Sequence, residues 1–481
     1  MDATVADIRA KQSPEIAEMN RVFQLQKEAF RKKPYPSADE RIVNLQKFKQ
    51  VLVRYQDELA QAACDDFGHR SLDETKIAEI AACLEGTKYY SKNLRSWMKP
   101  QKRHVSPMAQ PAKARVLYQP LGVVGVIVPW NYPIFLAVGP LLCALAAGNR
   151  VMIKMSGFTP RTGEVLKKML AEAYSEDLVA VVTGRGEISD AFSRLPFDQL
   201  TFTGSTNVGR TVMANAAVNL VPVLLELGGK SPAIIHESFP MADAAIRIAW
   251  GKCWNAGQTC TAPDYLFCPK GKVEEFVAEF TKIVGTLYPS MLNNPDYTSV
   301  VNAKQYTRLQ GYLRDAREKG ARIIEINPGN ERFENTHKMP VTMVLDVTDD
   351  MEIMKNEIFG PVLAVKTYER IEEALNYITE RDRPLALYYF DYDSSRADYI
   401  IKNTHSGGMC INDTVSHGAI DDLPFGGVGA SGMGKYHGFE GFTTMSNAKA
   451  ILEKPKFYAI KFILPPFNKP LHNIIKKYVL K

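Results

Sequence analysis

The sequence contains no CxxC motif and no pair of cysteines at metal-ligand spacing. Its cysteines are odd in number, and several lie in apolar stretches; they are Cys64, Cys83, Cys143, Cys253, Cys260, Cys268 and Cys410. A disulfide framework and a cysteine-ligated metal site are therefore not expected. The pattern predicts free thiols in a reducing compartment, hence a cytoplasmic protein, and no metal site.

A strong charge of one sign is also lacking. The 481 residues include 59 Lys+Arg and 53 Asp+Glu, a net charge of +6, and the basic residues are scattered. We therefore expect no nucleic-acid partner. The clearest basic bias lies in the tail, residues 456–481, where lysines alternate with prolines and exclude a membrane span. Peripheral contact of this tail with a membrane stays open but is not expected.

An uninterrupted long apolar run is missing as well. Residues 121–148 carry no charge and have the length of a membrane helix, but Pro129, Pro133 and Pro140 interrupt them. We predict instead a buried strand over residues 123–128, a "PWNYP" loop and a buried helix. The start of the chain has no basic segment followed by an apolar one, so no signal peptide is expected.

What is present is an alternation of strand and helix patterns. After about a hundred helical residues, "VSPMAQPAKARVLYQP" predicts a projecting hairpin or arm. Short apolar runs ("VVGVIV", "VMIK", "LTFTG") then alternate with helical segments, and a second series ("SPAII", "DYLFCP", "VLAVKTY", "LALYYF") follows residue 229. Strands separated by helices predict parallel sheets covered on both faces. The fold class is therefore α/β, with two tandem parallel-sheet domains and a ligand cleft between them.

One strand-to-helix turn has the features of a phosphate site. In "LTFTGSTNVGR", Gly204 ends a strand and a helix starts at Ser205 or Thr206. Such a turn leaves backbone N–H groups and the positive end of a helix available for a phosphate. The turn is not a GxGxxG fingerprint, and an ordinary strand-to-helix turn is the alternative.

Two residues are candidates for acid–base and nucleophilic work. Glu226, in "LLELGGKSP", lies among apolar neighbours at a strand end, where its pKa would be raised as a general base requires. A carboxylate that caps the next element is the alternative. Cys260, in "WNAGQTCTAP", has polar neighbours that argue for access, and a nearby helix end would stabilise its thiolate. A small core residue is the alternative there.

Two loops add polar candidates. Trp130 and Asn131 follow a buried strand, where ligands lie in open α/β sheets. The Asn131 amide is either a turn residue or a donor to a developing oxyanion. Glu357, in "KNEIFGPVL", belongs either to a tight turn or to a polar clamp at a cofactor.

Taken together and in this order, the motifs resemble those of the aldehyde dehydrogenase superfamily. The resemblance spans essentially the whole chain and rests on "PWNYP", "FTGS", "ELGGKSP", "GQTC", "EIFGP" and "FGGVGASGMGKYHG". The "GMGKYHG" ending resembles the class 3 branch. Within that branch, "DFGHRS" and "CWNAGQTCTAPDYLFCP" are most similar to the coniferyl aldehyde dehydrogenases.

The resemblance implies a role for each candidate. Cys260 would be the nucleophile, Asn131 and the Cys260 backbone N–H would hold the oxyanion, and Glu226 would activate the hydrolytic water. It also implies a site for NAD or NADP formed by Trp130, Lys154, Gly204, Ser205, Leu227, Glu357 and Phe359. In that site Lys154 would lie near the adenosine ribose, Glu357 at the nicotinamide ribose and Phe359 near the nicotinamide ring.

The resemblance also implies a domain organisation. Residues 1–103 and 121–229 would form the cofactor-binding domain and residues 230–430 the catalytic domain. Residues 104–120 and 440–455 would form a small β arm used in oligomerisation. Because such arms pair across a two-fold axis, a homodimer is expected.

Gly157, in "KMSG", departs from the usual family pattern. Many members carry a glutamate there, which binds the adenosine ribose hydroxyls and would repel a 2′-phosphate. Gly157 removes both effects, so we expect NADP to be accepted beside NAD. The alternative is that a neighbour such as Lys154 holds the NAD ribose.

The implied reaction is oxidation of an apolar aldehyde to its acid through a thiohemiacetal and a thioester on Cys260. The substrate would be aromatic and coniferyl-like, or a medium-to-long aliphatic aldehyde. A cysteine-nucleophile hydrolase or acyltransferase without a dinucleotide is the alternative from another class. None of the eight histidines lies in a motif near Cys260, which counts against that alternative. An inactive homologue and a CoA-using acylating enzyme are further alternatives.

Overall fold

The computed structural model describes residues 13–106, 109–334, 336–456 and 459–480. The α-helices of these residues are α1 Pro14–Lys32, α2 Ala38–Asp66, α3 Leu72–Thr75, α4 Ala82–Trp97, α5 Phe135–Ala147, α6 Pro160–Ala173, α7 Glu187–Ser193, α8 Thr206–Ala217, α9 Met241–Cys253, α10 Val273–Leu287, α11 Ala303–Glu318, α12 Glu352–Lys355, α13 Ile371–Thr379, α14 Ser394–Asn403, α15 Gly438–Thr444 and α16 Pro470–Val479. A π-helical segment, Lys76–Ala81, joins α3 to α4, and three 3₁₀ segments cover Trp254–Gly257, Ser416–Ala419 and Ala459–Phe462.

The strands of the same residues form three sheets. They are β1 Gln101–Arg103, β2 Lys113–Pro120, β3 Val123–Ile127, β4 Arg150–Lys154, β5 Val179–Val182, β6 Gln199–Gly204, β7 Val223–Leu227, β8 Pro232–Ile235, β9 Tyr265–Pro269, β10 Arg322–Ile326, β11 Val341–Leu345, β12 Val362–Tyr368, β13 Ala386–Phe390, β14 Gly408–Ile411, β15 Gly432–Met433 and β16 Ser446–Glu453.

The first large sheet has the strand order β15-β7-β6-β3-β4-β5. Strands β3 to β7 run parallel, and β15 pairs with β7 in the antiparallel sense. Successive side chains of β3 enter different cores: Val124 packs with helices α2, α4 and α5, whereas Val123 packs with α1. Both faces are therefore covered by helices, as the near-continuous apolar runs of the sequence predict.

The second large sheet has the order β10-β11-β12-β9-β8-β13-β14. Its strands are parallel except β10, which pairs with β11 in the antiparallel sense. The predicted runs in this half all form strands. Strands β10 ("RIIEI") and β11 ("VTMVL") do not follow from the predicted runs; β10 comes after helix α11 and forms an antiparallel pair with β11. The predicted α/β class with two parallel-sheet domains is confirmed.

The uncharged residues 121–148 divide as predicted. Strand β3 ends at Ile127, and α5 begins only at Phe135 and ends at Ala147; the next residue, Gly148, has a φ of 90° and forms a left-handed cap. Among the residues that the structure describes, no helix is long and apolar enough to cross a membrane.

The third sheet is small, with the order β1-β2-β16 and antiparallel pairing throughout. Residues 440–444, which the expected β arm includes, belong to α15 instead, and strand β16 starts at Ser446. Strand β1 joins this sheet although it precedes residue 104. The domain boundaries and the use of this sheet in oligomerisation stay predictions.

Candidate active site

A cavity of about 1250 Å³ lies at the carboxyl ends of β3, β4, β6 and β7. This is where ligands bind in open parallel sheets. The ten residues singled out in the sequence all line it: Trp130, Asn131, Lys154, Gly204, Ser205, Glu226, Leu227, Cys260, Glu357 and Phe359. Segments that are up to 229 residues apart in the sequence therefore meet at one site.

Cys260 lies in a turn that a strained segment positions. Asn255 and Ala256 have φ values of 50°, a left-handed conformation that is costly for residues other than glycine. Two buried amides hold this conformation. Asn255 Nδ2 donates to the carbonyls of Asn131 (2.9 Å) and Gln258 (3.2 Å), and Gln258 Nε2 donates to the carbonyls of Asn255 and Ser299 (both 3.0 Å).

The electrostatic surroundings of Cys260 differ from the expectation. The thiol is partly exposed to the cavity and free of any disulfide. Burial of the site, with the charges of Glu357 and Glu226, raises the pKa of Cys260 to about 12. Backbone N–H groups at Cys260 and Thr261 act in the opposite direction. The expected stabilisation of the thiolate by a helix end is therefore wrong: Cys260 follows the carboxyl end of a 3₁₀ turn, and two carboxylates favour the neutral thiol.

Asn131 is buried beside the cysteine segment, with 3% of its surface exposed. Its Nδ2 donates one hydrogen bond to the Gln258 carbonyl (3.1 Å), which leaves the second amide hydrogen available. Its own backbone carbonyl accepts from Arg70 Nη1 (2.8 Å). Arg70 forms a fully buried ion pair with Glu79 (3.1 Å), whose other carboxylate oxygen caps the start of α5. The Asn131 loop is thus anchored on both sides.

Glu226, the penultimate residue of β7, carries a carboxylate without a hydrogen-bond partner on either oxygen. Burial raises its pKa well above the usual range, and Lys435 lowers it only in part. Oε1 lies against Gly426, where a β-carbon would be 2.6 Å away, in the glycine-rich segment. The predicted rise of the Glu226 pKa in an apolar setting is confirmed.

Glu357 also lines the cavity and is held more firmly than Glu226. Its Oε1 accepts a hydrogen bond from the Gly229 backbone N–H (3.2 Å). Burial and the nearby Asp264 raise its pKa to about 8. Gly228 allows this arrangement, because a β-carbon there would lie 2.1 Å from Glu357 Oε2.

The segment that carries Glu357 is tied to two other motifs by an ion pair, Lys230–Asp264. Lys230 Nζ also donates to the carbonyls of Ile353 (2.8 Å) and Asn356 (2.9 Å). Asp264 Oδ1 accepts from the Ile358 backbone N–H (2.8 Å). We call Lys230 and Asp264 the clamp pair, because they join the segments that bear Glu226, Cys260 and Glu357.

The remaining candidates lie along the floor and the aromatic wall of the cavity. The rings of Trp130 and Phe359 pack edge to face, 5.3 Å apart. Strand β6 ends at Gly204 and α8 begins at Thr206. Ser205 makes no side-chain cap, so the N–H groups of the first turn stay open to the cavity. Lys154 is buried, and its Nζ donates to the carbonyls of Met155 (2.8 Å) and Gly184 (2.6 Å).

These features fit a dinucleotide. The cavity is larger than the ~300–1,000 Å³ usual for small-molecule sites. It offers an open helix N-terminus for a pyrophosphate and an aromatic wall for a ring.

Several residues of the site were not identified in the sequence. Lys230 and Asp264 stand within the quoted motifs "ELGGKSP" and "TCTAPD", and Arg70 within "DFGHRS", but no role was assigned to them. Charged residues adjacent to a motif are common, so only the contacts distinguish these. Arg308, which donates to the Glu357 (3.2 Å) and Ile358 (2.8 Å) carbonyls, has no motif at all.

Comparison with known proteins gives one consistent result. The model of the aldehyde dehydrogenase family matches residues 2–451. A probable coniferyl aldehyde dehydrogenase of Pseudomonas aeruginosa is 52% identical over 100% of both chains. The substrate-bound state of Staphylococcus aureus AldH has a TM-score of 0.90 and 35% identity over 96% of this chain and 99% of that chain. A Mycobacterium tuberculosis aldehyde dehydrogenase complexed with NAD+ has a TM-score of 0.83 and 29% identity over 92% and 91% of the two chains.

Proposed function

This chain belongs to the aldehyde dehydrogenase family, and we propose that it oxidises an apolar aldehyde to the carboxylic acid with NAD or NADP. The substrate is aromatic and coniferyl-like, or a medium-to-long aliphatic aldehyde. One observation carries the proposal: the Cys260 thiol, the Asn131 amide and the unpartnered Glu226 carboxylate line one cavity that fits a dinucleotide.

The first step is attack of the Cys260 sulfur on the carbonyl carbon of the aldehyde. Because the pKa of the thiol is raised to about 12, the proton must leave as the S–C bond forms. Solvent water accepts it, since the thiol is partly exposed, and the unpartnered Glu226 carboxylate stays free for the hydrolysis step. The product is a thiohemiacetal whose oxygen carries the negative charge.

Asn131 and the Cys260 backbone N–H stabilise that oxyanion. The second hydrogen of Asn131 Nδ2 is not used by the Gln258 carbonyl, and Arg70 and Asn255 hold the loop in place. Fixed donors of this kind are worth about 10²–10³ in kcat each.

A bound dinucleotide supplies the acceptor for the hydride that the tetrahedral carbon loses. Trp130, Gly204, Ser205 and Leu227 would hold its pyrophosphate and neighbouring parts, and Lys154 its adenosine ribose. Glu357 would hold the nicotinamide ribose and Phe359 would pack near the ring. Loss of the hydride leaves a thioester on Cys260.

Glu226 then removes a proton from the water that attacks the thioester. The C–S bond breaks, the acid leaves, and the proton returns the sulfur to the thiol. Burial raises the pKa of Glu226, which makes its carboxylate a stronger base for this proton. This role distinguishes hydrolysis from transfer to CoA.

The preference for an apolar aldehyde is supported by two cations beside the reacting groups, Arg70 at Asn131 and Lys435 near Glu226. Arg70 is occupied by Glu79 and the Asn131 carbonyl, and Lys435 by the carbonyls of Gly407 and Gly426. Neither cation is available to a substrate carboxylate. The name of the Pseudomonas aeruginosa relative supports an aromatic aldehyde of the coniferyl type.

The direct test is formation of reduced cofactor by the purified protein. NAD and NADP are supplied separately with benzaldehyde, coniferaldehyde, hexanal, decanal and succinate semialdehyde. We expect turnover with the apolar aldehydes, complete loss in Cys260→Ala, and retention in the control Cys410→Ala.

The control also tests the hydrolase alternative. Cys410 Sγ lies 3.1 Å from His417 Nδ1, the type of contact that a cysteine hydrolase uses. Cleavage of an activated ester without any reduction of NAD or NADP, lost in Cys260→Ala or in Cys410→Ala, would contradict the proposal in favour of a hydrolase.

We further propose that the protein is a homodimer. Among the described strands β16 pairs only with β2, so its other edge is open to a strand of a second copy. Light scattering should give twice the monomer mass, and a monomer at micromolar concentration would contradict this. The expected cytoplasmic location rests on the absence of disulfides among the seven cysteines and is tested by cell fractionation.

A further inference from the structure

The end of the cavity opposite Glu226 is formed by the loops that follow β4 and β5. In the first sheet β7 is followed by β6, β3, β4 and β5, with a spacing of roughly 4.8 Å per strand. Glu226 thus lies at one end of the row, the phosphate-type turn at Gly204 beside it, and Arg185 at the far end. A dinucleotide whose reacting ring lies near Cys260 places its adenosine over this far end. The assignment of this end to the adenosine rests on the proposed function.

Arg185 and Gly157 share one space in these loops. A β-carbon on Gly157 would lie 2.1 Å from Arg185 Cγ and 2.8 Å from its Nε. The backbone of Gly157 is not in the left-handed region, so a side chain at this position is excluded by Arg185 and not by backbone strain. The arginine stem therefore fills the space beside the cavity that a side chain of residue 157 would need.

Arg185 is exposed and contacts an aromatic ring, while its charge stays available. The guanidinium lies 5.5 Å from the centre of the Phe158 ring. Lys154 Nζ, through the carbonyls of Met155 and Gly184, ties the two loops together. No carboxylate of the described residues forms an ion pair with Arg185, whereas the neighbouring Arg194 is bound by Asp190.

The charge at this end of the cavity is entirely positive. The loops after β4 and β5 contribute Lys154, Met155, Ser156, Gly157, Phe158, Arg185 and Gly186 to the lining, and none of these is acidic. Guanidinium groups bind phosphates through paired hydrogen bonds that a ribose hydroxyl does not offer with equal strength. An unoccupied guanidinium without a competing carboxylate favours a phosphate.

We propose that Arg185 is the specificity-determining residue for a phosphate on the 2′ position of the adenosine ribose. The cavity then binds NADP more tightly than NAD. Gly157 has a supporting role, since it leaves the space that the arginine stem requires.

The test measures binding of cofactor fragments, without turnover. Isothermal titration calorimetry gives the Kd of 2′,5′-ADP and of 5′-AMP, which differ only by the 2′-phosphate. The proteins are the wild type, Arg185→Ala, and the control Arg194→Ala, which removes the same charge from a nearby arginine outside the cavity. A second variant, Arg185→Ala/Gly157→Glu, places a carboxylate in the space that the arginine stem leaves.

We expect the wild type and Arg194→Ala to bind 2′,5′-ADP about tenfold or more tightly than 5′-AMP. Arg185→Ala should lose that ratio while its Kd for 5′-AMP changes less than about twofold. The double variant should reverse the ratio, and the kcat/KM ratio of NADP to NAD should follow the same order.

Three results would overturn the proposal. Equal weakening of both fragments in Arg185→Ala would show that Arg185 contacts the adenosine and not the phosphate. A wild type that binds 5′-AMP as tightly as 2′,5′-ADP would remove the preference itself. A wild type that binds neither fragment would overturn the dinucleotide site, and the proposed function would fail with it.

Discussion

The two glutamates that line the cavity, Glu226 and Glu357, differ in what holds them. Burial raises the pKa of both Glu226 and Glu357. The Glu226 oxygens have no hydrogen-bond partner and lie against Gly426, whereas Glu357 accepts from Gly229 and its segment is tied by Asp264. Burial therefore sets the proton affinity of a carboxylate, while its fixed partners set its mobility. A group that exchanges protons is left unbound, and a group that holds a ligand is fixed.

Glu226→Gln has the largest expected effect, because it removes the proton acceptor and leaves Glu357 unchanged. The amide keeps the size of the side chain but cannot accept a proton, so the thioester on Cys260 should form and then persist. We expect kcat to fall by about 10²–10⁴-fold. Rapid mixing should show a burst of about one reduced cofactor per site, and mass spectrometry should show the acyl group on the protein.

The exposed residue Glu187 supplies a matched control, because Glu187→Gln makes the same chemical change on α7, outside the cavity lining. If the burst is lost together with kcat, Glu226 acts in the attack of Cys260 on the aldehyde and not in hydrolysis of the thioester. An unchanged kcat would remove Glu226 from the mechanism.

Asp264→Asn tests whether the clamp pair holds the segment that carries Glu357. The variant weakens the ion pair to Lys230 and leaves the Lys230 ammonium with less compensation, so the Glu357 segment should loosen. We expect the Kd for the cofactor to rise about tenfold and the free energy of unfolding to fall by roughly 1–3 kcal/mol. Titration of cofactor binding and urea unfolding measure the two effects.

Asp315→Asn is the control for this change. Asp315 accepts from the Glu352 backbone N–H (2.7 Å), at the other end of the same segment and away from Glu357. Equal effects of the two substitutions on cofactor binding would show that the segment responds as a whole, and that the clamp pair has no special part in holding Glu357.

The sequence predicts the reacting residues of the site better than the contacts that hold Glu357. Cys260, Glu226 and Asn131 each lie within a motif whose chemistry can be named from the residue type, and their strands follow from apolar runs. The clamp pair and Arg308 act through backbone carbonyls and N–H groups of distant segments, which no local pattern encodes. The raised pKa of Cys260 escapes prediction for the same reason: burial in the folded site is its main cause, and the two carboxylates that add to it lie 34 residues before and 97 residues after the cysteine.

Glu357→Gln is expected to have the smallest effect on cofactor binding of the three substitutions at the site. The amide oxygen can still accept from Gly229, so cofactor binding should weaken only a few-fold.

The clearer readout is the pH dependence of stability. A carboxyl group whose pKa is raised from 4.5 to about 8 binds more protons in the folded state, so its contribution is complete below about pH 4.5 and is lost as the pH rises through 8. The free energy of unfolding of the wild type should therefore decline more steeply between pH 6 and pH 9 than that of Glu357→Gln, by on the order of 1 kcal/mol. The exposed control Glu372→Gln should keep the wild-type slope, and equal slopes in all three proteins would mean that Glu357 is already ionised below pH 6.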